Sequence, residues 1–124
     1  MSEAASERRH PFLDDLADDV VLISNVLQGE VRGSDSVLAT IKTGSQIYAS
    51  PPTYHNRLND GRTLIEYDAE LVGGRKVHAV VVVDWNGDNK ASRVNIGFAP
   101  LGGALAFATR LGELLAATGH EQTL

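Results

Sequence analysis

The sequence predicts an α+β domain in which a curved antiparallel sheet packs over helices. Three observations support this prediction. The predicted elements follow the order α–β–α–β–β–β–β–α, glycine-containing turns connect the later strands, and the clearest strand alternates apolar with charged residues. The chain has 124 residues, of which 43% are hydrophobic and 22% charged, a composition typical of one compact domain with a single core.

The N-terminal part of the chain is predicted to contain a tail, a short helix and a first strand. Residues 1–9 are polar and are predicted to form a flexible tail, so that residues 10–124 form the single domain. Pro11 suits the first turn of a helix, and the apolar residues after it recur at helical spacing, which predicts a helix over 11–17. The apolar, β-branched stretch 20–27 predicts a strand.

A second helix is predicted to begin at a cap formed by Ser34 or Asp35, because both side chains can accept hydrogen bonds from the first turn. Pro51 and Pro52 end this helix, since proline lacks the amide hydrogen and disfavours helical geometry in the residue before it. Its predicted shared face consists of Val37, Leu38, Ile41, Ser45 and Tyr48.

Four strands and a final helix are predicted in the rest of the chain. The strands cover 53–59, 63–72, 76–85 and 92–99, and the second of these alternates apolar and acidic residues cleanly. A helix rich in leucine and alanine is predicted over 101–117. The predicted apolar positions of this helix are Leu101, Leu105, Ala108, Leu111 and Leu115.

The stretch 84–90, DWNGDNK, has oxygen-bearing side chains at alternate positions and so resembles the start of a calcium-binding loop. However, Asn89 stands where that loop needs glycine, and Asn95 stands where it needs a bidentate glutamate. Asn86-Gly87 between two β-rich segments is instead typical of a tight hairpin, because both residues tolerate positive φ. A hairpin and no metal site are therefore predicted here, and a second hairpin is predicted at Gly73-Gly74.

Charge and composition narrow the classes of partner. The net charge is −5 and the chain has no cysteine, which argues against a general nucleic-acid binder and excludes disulfides and thiolate metal sites. No apolar segment is long enough to span a membrane, and the N-terminal residues lack the apolar region of a signal peptide. A cytoplasmic protein without a cofactor is the expectation.

Four stretches in this order resemble the nuclear transport factor 2-like superfamily, and particularly its SnoaL-like and ketosteroid-isomerase-like branches. The resemblance covers roughly residues 12–100, and none of its stretches is an active-site signature. It implies a cone in which a strongly bent sheet wraps around helices and leaves an apolar cavity at the open end, with dimers formed through the outer sheet surface. The helix over 101–117 would be an addition to that cone. The four stretches are LADDVVL (16–22), VRGSDSVLATI (31–41), GGRKVHAVVVVDWNGDNKASRV (73–94) and GFAP (97–100).

The resemblance also identifies where the family's isomerases place their catalytic groups: a base aspartate, a tyrosine, and a protonated aspartate that stabilises an oxyanion. Here the base position falls on Ser24, the oxyanion aspartate falls on Val81, and the tyrosine position falls before residue 1. Serine and valine cannot fill those roles, so steroid-isomerase chemistry is not expected. No inward-facing Asp–Arg–Asp set of the epoxide-hydrolase branch is identified either.

Strand periodicity predicts which side chains face the interior of the cone. If Val81 faces inward, alternate residues of the later strands share its face, and the lining is apolar apart from Tyr67. His55, Tyr48 and Tyr67 are the candidates for catalysis, because histidine titrates near neutral pH and tyrosine carries a hydroxyl. A filled core is the alternative interpretation of the same row. The predicted ligand-binding residues are Ser24, Tyr48, Tyr67, Val81, Val83, Ile96 and Phe98.

The opposite face of the sheet is predicted to face outward. Its charged side chains are expected to form cross-strand ion pairs rather than a metal or acid–base site. Val80 and Val82 leave an apolar strip on this face, which fits a homodimer contact. The polar residues of the face are Glu66, Asp68, Glu70, His78, Arg93 and Asn95.

Three functions follow from these expectations. The favoured one is a protein that binds a small hydrophobic molecule as a homodimer, with little or no catalysis. The second is a SnoaL-like cyclase or isomerase that uses polar groups in the cavity, and the third is a purely structural dimer. Residues 101–117 are predicted to cover apolar surface, either in the same subunit or in a partner.

Overall fold

The computed structural model describes residues 12–59 and 62–117, except for the side chains of residues 54–59. In this part of the chain there are six strands, two α-helices and one short 3-10 turn over Leu13–Asp15. The predicted tail, residues 1–9, lies outside the described residues. The strands and helices are β1 (Leu16–Ser24), β2 (Val31–Arg32), α1 (Ser34–Ser45), β3 (Thr53–Asn59), β4 (Arg62–Glu70), β5 (Lys76–Trp85), β6 (Ala91–Ala99) and α2 (Leu101–Ala116).

The described strands form one curved sheet in the order β2-β1-β6-β5-β4-β3. All neighbouring pairs are antiparallel except β1 and β6, which run parallel. The predicted α+β class and curved sheet are therefore confirmed, while the sheet is mixed rather than wholly antiparallel. The parallel pair arises because the chain makes three antiparallel hairpin steps from β3 to β6 and so returns beside β1 in the direction in which β1 runs.

The N-terminal prediction is wrong where the structure describes it. Instead of a helix over 11–17, only Leu13–Asp15 turn, and β1 begins at Leu16. Pairing with β6 overrides the local helical spacing, and Ala17, Val20 and Leu22 are buried on this strand. The first strand accordingly covers 16–24 rather than 20–27.

The second helix is confirmed, but its N-cap differs from the predicted one and it ends before the prolines. Gly33, not Ser34 or Asp35, occupies the N-cap, with φ of 94°, and no side chain caps the helix. The helix ends at Ser45, which is exposed, and Tyr48 lies beyond it in an isolated bridge with Leu71. The turn before the prolines thus releases Tyr48 from the helix and aims it at the sheet.

The alternation predicted for the later strands is confirmed. Inward residues of β4, β5 and β6 are buried, while Glu66, Asp68 and His78 lie on the outer face at half-exposed or exposed positions. The buried set comprises Ile65, Tyr67, Ala69, Val77, Ala79, Val81, Val83, Val94, Ile96 and Phe98.

Both predicted hairpins are present. Gly73 and Gly74 have φ of 106° and 96°, so the β4–β5 turn uses the freedom of both glycines. In the β5–β6 turn, the residue with positive φ is Asn89 at 58°, not Asn86 or Gly87. The Asn86 side-chain oxygen accepts hydrogen bonds from the backbone N–H groups of Asp88 and Lys90, at 2.9 and 3.1 Å. That oxygen is thus used by the turn itself, and no group of three metal-binding side chains is found in the described residues.

The C-terminal helix packs within the subunit against α1, β5 and β6. The helix is confirmed. Of its apolar positions, Ala108, Leu111 and Leu115 are buried, whereas Leu101 and Leu105 are 71% and 49% exposed. Gly103 determines the rotation of the helix: a Cβ there would lie 2.7 Å from Val77 Cγ1 and 2.8 Å from the Lys76 carbonyl oxygen. The helix therefore approaches the sheet through its small residues. No described helix is long and apolar enough to cross a membrane.

Candidate functional site

A cavity of about 250 Å³ lies between the concave face of the sheet and the two helices. The sheet contributes Ile65, Val81 and Phe98 to its wall, and α2 contributes Phe107 and Leu111. The lining also includes Lys42 and Ser45, which are exposed, so the cavity extends from the core to the protein surface. The described lining is mostly apolar. Its polar members are Ser24, Thr40, Lys42, Ser45, Tyr48 and Tyr67.

Two tyrosine hydroxyls meet at the cavity wall. The oxygens of Tyr48 and Tyr67 are 2.6 Å apart, within hydrogen-bonding distance, and either can be the donor. Their rings are edge to face, with centroids 6.0 Å apart at 80°. A backbone bridge to Leu71 holds the residue that carries one ring, and β4 carries the other ring, that of Tyr67, which is 8% exposed. A hydroxyl pair in an apolar enclosure is a point at which a ligand oxygen can be recognised.

The tyrosines belong to an aromatic cluster that the C-terminal helix completes. Phe107 stacks on Phe98 with ring centroids 4.6 Å apart, and its ring is 5.9 Å from that of Tyr48. These rings together give the cavity a rigid aromatic wall, since each aromatic side chain has only two rotatable bonds.

The end of β1 defines another part of the cavity. The Asn25 amide donates to the Phe98 carbonyl and accepts from the Phe98 N–H, both at 3.1 Å, so it extends the pairing between β1 and β6. Ser24, the residue before it, lines the cavity, and its hydroxyl oxygen accepts a 3.4 Å bond from the Val26 N–H. Asn25 therefore positions the strand end from which Ser24 faces the cavity.

Most predicted ligand-binding residues lie around this cavity. Ser24, Tyr48, Tyr67, Val81, Ile96 and Phe98 line it. Val83 does not line the cavity. It is fully buried, but it lies further along β5, where it pairs with Val94 in the core. Binding by these residues stays a prediction. Of the catalytic candidates, Tyr48 and Tyr67 are brought together, whereas the side chain of His55 lies outside the described residues.

Sequence periodicity alone missed the helical half of the wall. Thr40, Ile41 and Gly44 of α1 and Phe107 and Leu111 of α2 line the cavity. The amphipathic pattern identified the buried side of α1 but could not distinguish cavity lining from core. Phe107 was not among the apolar positions predicted for α2, so its place in the cavity wall was not recognised.

The ionisable side chains of the described lining are Lys42, Tyr48 and Tyr67. No aspartate, glutamate or histidine is among its residues, and Ser24 and Val81, the positions aligned with the isomerase aspartates, both line it. Among the described side chains of the lining, the two tyrosine hydroxyls form the polar pair that lies within hydrogen-bonding distance of each other.

A charged cluster lies on the outer face of the sheet instead. Nδ1 of His78 is 2.7 Å from an Asp68 oxygen, and Nε2 is 3.0 Å from a Glu66 oxygen. The hydrogen bonds to Asp68 and then to Glu66 raise the pKa of His78 above 6.5. The two carboxylates bind opposite nitrogens of the ring and do not converge on one point. The cluster thus forms the predicted cross-strand ion pairs, a charge clamp of His78 between Asp68 and Glu66.

Comparison with solved structures gives many similar folds at low sequence identity. A steroid delta-isomerase from Pseudomonas aeruginosa superposes with a TM-score of 0.77 at 19% identity, over 86% of this chain and 78% of that one. An uncharacterised protein with a cystatin-like fold from Silicibacter pomeroyi gives 0.80 at 17% identity, over 86% and 75%. A putative isomerase of the SnoaL-like family from Agrobacterium tumefaciens gives 0.57 at 14% identity, over 77% and 83%. No protein-family model and no curated protein matches the sequence.

Proposed function

Because the chain has the nuclear transport factor 2-like fold, we propose that it binds a small hydrophobic molecule in its cavity and acts as a homodimer. The observation that carries the binding proposal is the apolar cavity of about 250 Å³ with two tyrosine hydroxyls in its wall. A cavity of this kind, apolar with a few convergent polar groups, is the usual form of a small-molecule site.

The cavity restricts the chemistry of the ligand. Its volume of about 250 Å³ suits a compact molecule rather than a long chain. An apolar body would contact Ile65, Val81 and Phe98, and an oxygen atom would lie beside Tyr48 and Tyr67. The ligand class is thus a small, mainly hydrocarbon molecule with one carbonyl or hydroxyl group.

The test compares acetophenone with ethylbenzene, which lacks the carbonyl oxygen, by isothermal titration calorimetry. We expect the wild-type protein to bind both and to prefer the ketone. Tyr48→Phe and Tyr67→Phe keep the rings but remove a hydroxyl, so each should reduce that preference by about 2- to 10-fold, the usual effect of one hydrogen bond. The proposal would be contradicted if the folded wild-type protein showed no saturable binding of either compound. An unchanged preference for the ketone in both variants would also contradict it.

The homodimer proposal rests on the outer face of the sheet. Val80 is 37% exposed there, and the half-buried Val82 continues the strip. Apolar side chains within a charged surface favour contact with a second copy. Light scattering coupled to size-exclusion chromatography should give the dimer mass at micromolar concentration, and Val80→Lys should give the monomer. Val72→Lys, at a 70% exposed valine in the β4–β5 turn, is the matched control and should stay dimeric.

A SnoaL-like cyclase or isomerase is the second candidate, and the hydroxyl pair favours it. Two hydroxyls at 2.6 Å can stabilise a developing oxyanion, as donors do in enzymes that enolise ketones. Binding without turnover is preferred because the described lining has no carboxylate or histidine to remove a proton. Exchange of the acetophenone methyl protons with deuterated solvent separates the two functions. Exchange at the buffer rate supports simple binding, whereas protein-dependent exchange that Tyr67→Phe abolishes supports the enzyme.

A further inference from the structure

We propose that Phe107 of the C-terminal helix determines the largest ligand that the cavity accepts, an inference that rests on the proposed binding function. Phe107 is 4% exposed, lines the cavity, and comes from α2 rather than from the sheet. Its side chain is thus a wall of the cavity that belongs to a different element from the hydroxyl pair.

The position of the Phe107 ring is fixed by contacts on several sides. One face stacks on Phe98 at 4.6 Å between centroids, and the ring of Tyr48 lies 5.9 Å away at 34°. Removing the ring would therefore join its volume to the existing cavity, while the tyrosine hydroxyls would still be attached to β4 and to the segment after α1. The variant should alter the size of the accepted ligand without removing the polar contact.

The tip of the Phe107 ring fits against Gly44 because this residue has no side chain. A Cβ at this position would lie 3.1 Å from Phe107 Cζ and 3.9 Å from Leu111 Cδ1, and Gly44, Phe107 and Leu111 all line the cavity. A methyl group at residue 44 would occupy lining space or displace the ring. Gly44→Ala should consequently shrink the cavity, the opposite of truncating Phe107.

The experiment measures the affinities of acetophenone and its longer-chain alkyl homologues for the full chain by isothermal titration calorimetry. Phe107→Ala should raise the affinity for the longest homologues relative to acetophenone by about tenfold or more, since one methylene in an apolar pocket changes affinity by about 10- to 200-fold. Phe107→Leu, which disturbs folding less, should shift the preferred length in the same direction. Gly44→Ala should shift it towards acetophenone.

Leu115→Ala is the matched control, because Leu115 is 1% exposed on the same helix but does not line the cavity. It should lower thermal stability and leave the preferred length unchanged. The role of Phe107 is refuted if the wild type binds the series and the Phe107 variants prefer the same ligand length as the wild type. It is also refuted if Leu115→Ala shifts the preferred ligand length as much as the Phe107 variants do. If the folded wild type binds no homologue, the binding function itself is refuted and this inference with it.

Discussion

His78 lies between two carboxylates, and this geometry controls its charge. A neutral imidazole has only one N–H, yet both ring nitrogens of His78 are within hydrogen-bonding distance of ionisable oxygens on β4. Only the protonated ring can donate to Asp68 and Glu66 at once, so these bonds raise its pKa. The charged residues next along the two strands are Glu70 and Lys76, which pair with each other two residues from Asp68 and His78.

The clamp predicts that stability depends on pH through His78. The pKa of His78 is raised in the folded state, so the stabilisation from its two ion pairs is fully present below the unfolded pKa of 6.5. This stabilisation is lost as the pH rises through the higher pKa of the folded state. The side chain is 39% exposed, so solvent screening limits each ion pair to about 1 kcal/mol or less. The difference in melting temperature between wild type and His78→Gln should shrink as pH increases above 6.5. A difference that grows with pH would contradict the clamp.

Single residues also show where sequence reasoning reaches its limit. Alternation along β4 and β5 correctly placed Val81 inside and His78 outside, because one hydrophobic period fixes both faces of a strand. The pairing of Tyr48 with Tyr67 could not be derived in the same way. It joins residues 19 positions apart, and it depends on where α1 ends and on the bridge to Leu71.

Among the elements, the contact of α2 with the sheet depends on one glycine. Gly103 has no space for a side chain, since a Cβ would meet backbone atoms of Lys76 as well as Val77. Gly102, its neighbour, is exposed, and a Cβ there would meet only the end of the flexible Arg75 side chain at 3.1 Å. The close approach is thus specific to residue 103.

Gly103→Ala should therefore destabilise the protein by about 1–3 kcal/mol, the usual cost of overpacking, although alanine favours helices. Gly102→Ala is the control and should be neutral or slightly stabilising. Chemical denaturation of both variants measures the difference. Equal stability of the two would show that the helix does not approach the sheet through Gly103.

The elements differ in how far local sequence determined them. Strands β3 to β6 were predictable because hairpins between adjacent segments place each strand next to its partner. The segment around Leu16 was not, because its partner β6 is distant in sequence and its pairing overrode a helical pattern. The buried face of α2 was not predictable in the same way, because the small residue Gly103 decides which side of the helix approaches the sheet.

For the molecule as a whole, α2 supplies one side of the single core. Phe107, Leu111 and Leu115 are each 4% exposed or less, and burying such side chains contributes about 1.5–3 kcal/mol each. That sum is comparable with the total stability of a small domain, about 5–15 kcal/mol. Deleting residues 101–124 should consequently abolish the cooperative thermal transition. An unchanged melting temperature would contradict this role of the helix.

A point variant tests the same role without a deletion. Leu111→Ala should lower the free energy of unfolding by about 2–5 kcal/mol, as truncation of a buried leucine does. Leu105→Ala, at a 49% exposed position of the same helix, should change it by about 0.5 kcal/mol or less. Similar losses from both variants would mean that the helix is rotated relative to this description.

The fold class could be anticipated from four stretches of sequence, but the complete wall of its cavity could not. Those stretches specify junctions and a hairpin, which determine how the cone is assembled. The cavity wall is instead assembled from β1, β4, β5, β6 and both helices, so its polarity depends on long-range packing. The sequence placed Ser24, Tyr48 and Tyr67 at the cavity, but only the three-dimensional structure adds Phe107 and joins the two hydroxyls.

The central claim is that this space holds a small hydrophobic molecule with one oxygen group. Nitrogen–proton correlation NMR spectra recorded during titration with acetophenone test it most directly, because they locate the ligand residue by residue. Saturable shifts concentrated at Ser24, Tyr48, Tyr67, Ile96 and Phe98 are the predicted result. Spectra that stay unchanged at saturating ketone, or shifts confined to the outer face around His78 and Val80, would contradict it.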